Sequence, residues 1–129
     1  MNEPSIATKP ASGVLRIWRA SFFSINGLRV AWTGEAAFRQ ELVLAAVLIP
    51  VALLLPTGLT QKALLISCAL LVLIVELVNS AIEAVVDRIS LDRHELAGRA
   101  KDIGSAAVLV SLANLVLVWT LVLIEVFVT

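Results

Sequence analysis

The chain has 129 residues, 60% of them hydrophobic, and a mean hydropathy of +0.98. That composition excludes an ordinary soluble domain and describes a small integral membrane protein. Ten basic residues balance ten acidic ones, and the absence of net charge argues against a nucleic-acid partner.

Met1 to Gly13 reads as a short disordered lead: it is polar, contains Pro4 and Pro10, and shows no signal-peptide pattern. The remainder, 14–129, reads as one membrane-embedded domain. From Val14 to Trp32 the apolar positions Leu15, Trp18, Phe22 and Ile25 recur at helical spacing among Arg16, Arg19, Ser24 and Asn26. That pattern predicts an amphipathic helix lying on the membrane surface, with Trp18 and Trp32 in the interfacial aromatic belt. Gly27 and Arg29 disturb the pattern and mark a place for a bend.

Three stretches reach the roughly 20 apolar residues that cross a bilayer: about Ala36 to Leu55, Ala63 to Val86 and Ser105 to Val128. The first is entered through Glu35-Ala36-Ala37-Phe38-Arg39-Gln40-Glu41, in which Glu35 and Arg39 have the i,i+4 spacing of an ion pair. It contains Pro50, for which a kink rather than a break is expected. Pro56-Thr57-Gly58 then predicts a tight turn. Cys68, the only cysteine, lies in the second apolar stretch; it offers no disulfide or cysteine metal site and is expected to be a buried structural thiol.

The second span is unusual. Glu76, Asn79, Ser80 and Glu83, followed by Asp87, fall within about 100° of one helix face. A carboxylate near the bilayer centre costs roughly 2.5–3.5 kcal/mol on insertion scales, so an intramembrane acid is a functional-site hypothesis by default. The connection from Asp87 to Lys101 is dense in charge and includes His94, the only histidine, which reads as a solvated side chain rather than a metal ligand. Gly104, Ser105, Ala106 and Ala107 are small enough to allow close helix approach at the start of the third span. Basic residues gather before the first span and between the second and third, which places the N-terminus and second connection in the cytoplasm and the C-terminus outside.

With that topology Glu35, Glu83, Asp87, Lys101 and Asp102 share one membrane interface. Carboxylates with a lysine at such a boundary suit a divalent cation holding phosphates, since magnesium takes one or two carboxylates and keeps several waters. Glu76 lies two turns deeper than Glu83, about 10 Å along the axis, where it could accept a proton from a lipid hydroxyl. No Walker or protein-kinase motif is present. On the residues alone a transport subunit fits as well as an enzyme, and a structural subunit could use Asn79 and Ser80 as interhelical hydrogen-bonding groups.

The strings Glu35 to Glu41, Val75-Glu76-Leu77-Val78-Asn79-Ser80-Ala81-Ile82-Glu83-Ala84-Val85-Val86-Asp87-Arg88, and Gly98 to Val108 closely resemble the small integral-membrane diacylglycerol kinase family of bacteria. The resemblance runs from about Gly13 to the C-terminus. It implies an all-α membrane protein with three transmembrane helices and an N-terminal surface helix per protomer, assembled as a homotrimer in the bacterial inner membrane. The active sites would be shared between neighbouring subunits. It also implies transfer of the γ-phosphoryl group of ATP, with Mg2+, to the hydroxyl of diacylglycerol, giving phosphatidic acid. Carried over by position, Glu76 is the general base and Glu35 and Glu83 hold the metal. Asn79 orders the site, Lys101 and Asp102 contact the nucleotide, and Arg16 and Asp87 contribute around it. Arg39 and Gln40 match positions near the site. Phe23, Asn26, Ser90 and Arg93 depart from the family pattern around the adenine. Close relatives that phosphorylate undecaprenol form the rival reading for the acceptor.

Overall fold

A computed structural model describes residues 12–89, 92 and 94–129, and every regular element among them is an α-helix. The elements are α1 (Gly13–Gly34), α2 (Ala36–Leu54), α3 (Leu59–Ile89) and α4 (Glu95–Val128). Three of them, α2, α3 and α4, are long and apolar enough to cross a membrane. The expected lead falls outside the described residues up to Ala11, and Gly13 already opens α1.

The helices outrun the predicted spans, and simple lengths explain why. At 1.5 Å per residue α3 is about 46 Å long and α4 about 51 Å, against a hydrocarbon core of about 30 Å. Their polar ends therefore project beyond it. Most of the charge-rich connection is consequently helix rather than loop: α3 continues through Asp87 to Ile89, and α4 begins at Glu95. His94 is exposed, as its surroundings suggest, but it has a defined role. Its Nδ1 accepts the Leu96 N–H at 3.1 Å and so caps the α4 N-terminus, where the first amides lack intrahelical partners.

α1 runs unbroken through Gly27, with Trp18, Phe22 and Phe23 exposed and only Ala31 buried. α2 likewise continues through Pro50 to Leu54. The chain turns over Leu55 to Gly58, where the Thr57 N–H bonds to Leu55 O at 2.8 Å. Lys62 reaches back from α3 and donates to Leu53 O at 2.7 Å, satisfying a carbonyl at the end of α2.

α3 is the central element, packed against α4 and α2, whereas α1 meets the bundle mainly through α2. The core joins Ala45 and Ala52 of α2, Leu65, Cys68, Ala69 and Val72 of α3, and Leu115, Trp119 and Val122 of α4. Lipid tails are as apolar as leucine, so close packing rather than water exclusion holds this cluster. The alanines let the backbones approach, and Leu65 fills the space with no exposed surface. Cys68 is the buried thiol expected of it and donates to Leu65 O at 3.1 Å.

Candidate active site

The polar stripe of α3 grades from the core to the rim. Glu76 and Asn79 are buried, with 4% and 8% of their surface exposed; Ser80 and Glu83 are half-buried; Asp87 is exposed. The grading follows from the packing of α4, whose Gly104 lies directly against Asn79. A methyl group added at Gly104 would strike the Asn79 Oδ1 atom. Of the small residues predicted to allow close approach, Gly104 makes it, whereas Ser105, Ala106 and Ala107 face outward and exposed.

Asn79 is held by that contact and orients its neighbour. Its Nδ2 donates to Glu83 Oε1 at 3.3 Å, the only sense possible because a carboxylate accepts and does not donate. One turn further on, Asp87 Oδ1 accepts from Lys101 Nζ at 2.7 Å and forms an ion pair across the α3–α4 hairpin. Both partners are about half exposed, so water screens the pair and it is easily exchanged. Lys101 and Asp87, each expected near a phosphate, are thus brought together. Asp102 is exposed beside them.

Glu35 is the single residue between α1 and α2. It is extended, with φ −117° and ψ 109°, and makes no side-chain capping bond although it occupies the N-cap position of α2. Its carboxylate lies close enough to act electrostatically on Glu76, as does that of Glu83. Glu41, to which the sequence reading assigned no role, joins the same group. It interacts with Glu76, and its Oε2 is buried without a hydrogen-bond partner. The signal was present: Glu41 is an acid more than one turn inside a predicted span, the same rule that singled out Glu76.

One expectation changes. The Glu35–Arg39 ion pair does not form; Arg39 Nη1 instead donates to Trp32 O at 2.8 Å and Thr33 O at 3.3 Å. The carbonyls at the end of α1 lack intrahelical donors and carry the negative end of the helix dipole, so they compete with the Glu35 carboxylate for the guanidinium. Arg16 stands apart from the carboxylates: it is exposed on the first turn of α1, about 28 Å along the axis from Glu35. Ser90 and Arg93 lie outside the described residues.

A cavity of about 600 Å³ opens between α1 and α3 beside these acids, lined by Leu28, Ala31, Glu35, Leu77, Ser80 and Ala81. A second, of about 550 Å³, lies at the α3–α4 hairpin between Val86, Ile89, Asp92, His94 and Ala97. No three metal-ligating side chains converge among the described residues. The donors nevertheless fit magnesium, which needs only one or two carboxylates beside water and phosphate oxygens. Glu35 has its carboxylate uncommitted to capping, and Glu83 is held by a single amide.

The likeness to known proteins runs across these elements. The family model for prokaryotic diacylglycerol kinase matches residues 22–123. A diacylglycerol kinase of Escherichia coli is 51% identical over 112 residues, covering 87% of this chain and 92% of the relative. One of Pseudomonas aeruginosa is 51% identical over 116 residues, covering 90% and 94%. One of Helicobacter pylori is 41% identical over 109 residues, covering 84% and 85%. A match that spans all three apolar helices and both ends of the carboxylate cluster leaves no doubt of kinship: the chain belongs to the prokaryotic diacylglycerol kinase family.

Proposed function

We propose that the protein transfers the γ-phosphoryl group of MgATP to the free hydroxyl of diacylglycerol, forming phosphatidic acid and ADP. One observation carries the reading: a buried carboxylate, Glu76, sits among further acids beside an apolar cavity wide enough for a lipid chain. Phosphoryl transfer needs mainly positioning and electrostatic stabilisation, and each part has a candidate here.

Glu76 takes the proton of the acceptor hydroxyl as that oxygen bonds to the γ-phosphorus and the bond to the β,γ-bridging oxygen breaks. Glu35 and Glu83 would hold magnesium, which when bound would supply positive charge against the phosphate oxygens. Asn79 fixes the Glu83 carboxylate for that task. Lys101 leaves Asp87 to meet a phosphate, with Asp102 alongside, and the cavity at the hairpin takes the nucleoside. The α1–α3 cavity takes the acyl chain, since its walls are apolar except at Ser24, Glu35 and Ser80.

The domain comprises residues 14–129, with α1 lying as an amphipathic helix on the cytoplasmic surface of the inner membrane. The N-terminus and the α3–α4 hairpin face the cytoplasm and the C-terminus faces out, following the clustering of basic residues. Three protomers assemble and share their sites. Arg16, remote from the carboxylates of its own protomer, contributes to a nucleotide across a subunit boundary.

The test is turnover in lipid mixed micelles with Mg2+, comparing diacylglycerol, undecaprenol and no acceptor, with labelled product resolved. Phosphatidic acid from the diacylglycerol sample alone supports the reading. Polyprenyl phosphate reassigns the acceptor, and absence of acceptor-dependent ATP consumption returns the buried acids to a transport or packing role.

A further inference from the structure

We infer that Arg39 is a positioning residue that sets metal affinity by clamping the α1–α2 corner around Glu35; this rests on the reading of Glu35 as a magnesium ligand. Glu35 is the only residue between the two helices, so the direction of its carboxylate depends on how that corner is held. On one side its N–H bonds to Ala31 O at 2.9 Å, ending α1; on the other its carbonyl accepts the Arg39 N–H at 3.2 Å, opening α2.

The Arg39 side chain then crosses the corner. Its Nη1 donates to Trp32 O at 2.8 Å and Thr33 O at 3.3 Å, the last free carbonyls of α1. Main chain and side chain of one residue thereby bracket Glu35. Beneath the corner Ala31 and Phe38 are both buried, Phe38 with 2% exposed, which closes off alternative packings. Thr33 Oγ1 donates to Arg29 O and Val30 O, so the final turn of α1 is itself well tied.

The arrangement also shows that Arg39 does not neutralise Glu35. Spacing would pair it with Arg39, and a paired carboxylate would have to release its cation before taking a metal. The guanidinium is instead committed to carbonyls, and the Glu35 carboxylate makes no capping bond. Arg39 thus fixes the ligand without occupying it. Both bonds leave one nitrogen, Nη1, so the three-donor ammonium of lysine can replace part of the contact, whereas methionine offers no donor at all.

The test uses the full-length protein in detergent–lipid micelles, with Mn2+ as the spectroscopic probe and a non-hydrolysable ATP analogue present. Removing partners that orient a metal ligand weakens metal affinity about 10–100-fold. Arg39→Met is expected to raise the Mn2+ concentration for half-saturation at least about 10-fold, with Arg39→Lys recovering part of the loss. Spin labels on α1 and α2 should show a broader distance distribution in Arg39→Met than in the parent. Retained helicity and oligomer size in Arg39→Lys show that the effect is not misfolding. Glu35→Gln runs in the same titration. If it loses Mn2+ binding while Arg39→Met keeps both parental affinity and distances, the positioning role alone is overturned. If Glu35→Gln keeps parental affinity, the metal reading of Glu35 falls and the proposal falls with it.

Discussion

Gly104 shows how a residue with no side chain can set the chemistry of one that has it. Any Cβ at that position meets the Asn79 amide, which would have to rotate away and release Glu83. Gly104→Ala is therefore expected to insert and fold but to lose at least about 10-fold in activity, because an unanchored ligand binds metal more weakly. Steady-state turnover across a Mg2+ titration checks this; a parental Mg2+ dependence would remove Asn79 from the positioning role. At this scale the sequence was informative where a residue type is costly in lipid. Glu76 stands out because an acid inside a span demands explanation. Arg39 did not stand out correctly, because i,i+4 spacing names a reachable partner but not the better one. The choice of the α1 carbonyls depends on where α1 ends, which only the folded corner decides.

Among the helices, periodicity and hydropathy located every element, and the boundaries moved for one reason. Apolar runs report the hydrocarbon thickness, whereas helices continue until a cap or turn stops them. The extra turns of α3 and α4 carry Asp87 and Lys101 and bring them within 2.7 Å. A loop over the same residues would not have fixed that register. If the pair is a resting contact from which Lys101 moves to a phosphate, Lys101→Met should lower kcat and raise the KM for ATP. Asp87→Asn should mainly change the KM, and stability should hardly move in either variant, because water screens an exposed pair. Equal loss of kcat in both variants would mean that the pair acts as a fixed unit in the transition state.

The chain exposes much apolar surface and buries little. Leu54, Leu59, Leu109 and Val110 are all largely exposed, as suits helices in lipid or against further protomers. Among the described residues the buried set includes three polar ones, Glu76, Asn79 and Ser111. The trimer expectation rests on the family resemblance, because three helices of one chain show no boundary that identifies a neighbour. It yields a clear outcome. If sites are shared, co-assembly of two inactive variants, Arg16→Ala and Glu76→Gln, should restore part of the parental turnover, because some sites then draw both intact residues from different protomers. Mixtures that stay inactive would confine each site to one protomer.

The central claim is that Glu76 accepts the acceptor's proton, and single-turnover phosphorylation of diacylglycerol by Glu76→Gln tests it most directly. The amide keeps the size and hydrogen-bonding capacity of the buried side chain but cannot act as the base. The account predicts parental nucleotide and metal binding with the chemical step slowed by about 100-fold or more. A parental single-turnover rate in the folded, nucleotide-bound variant would contradict it and assign the buried carboxylate to packing.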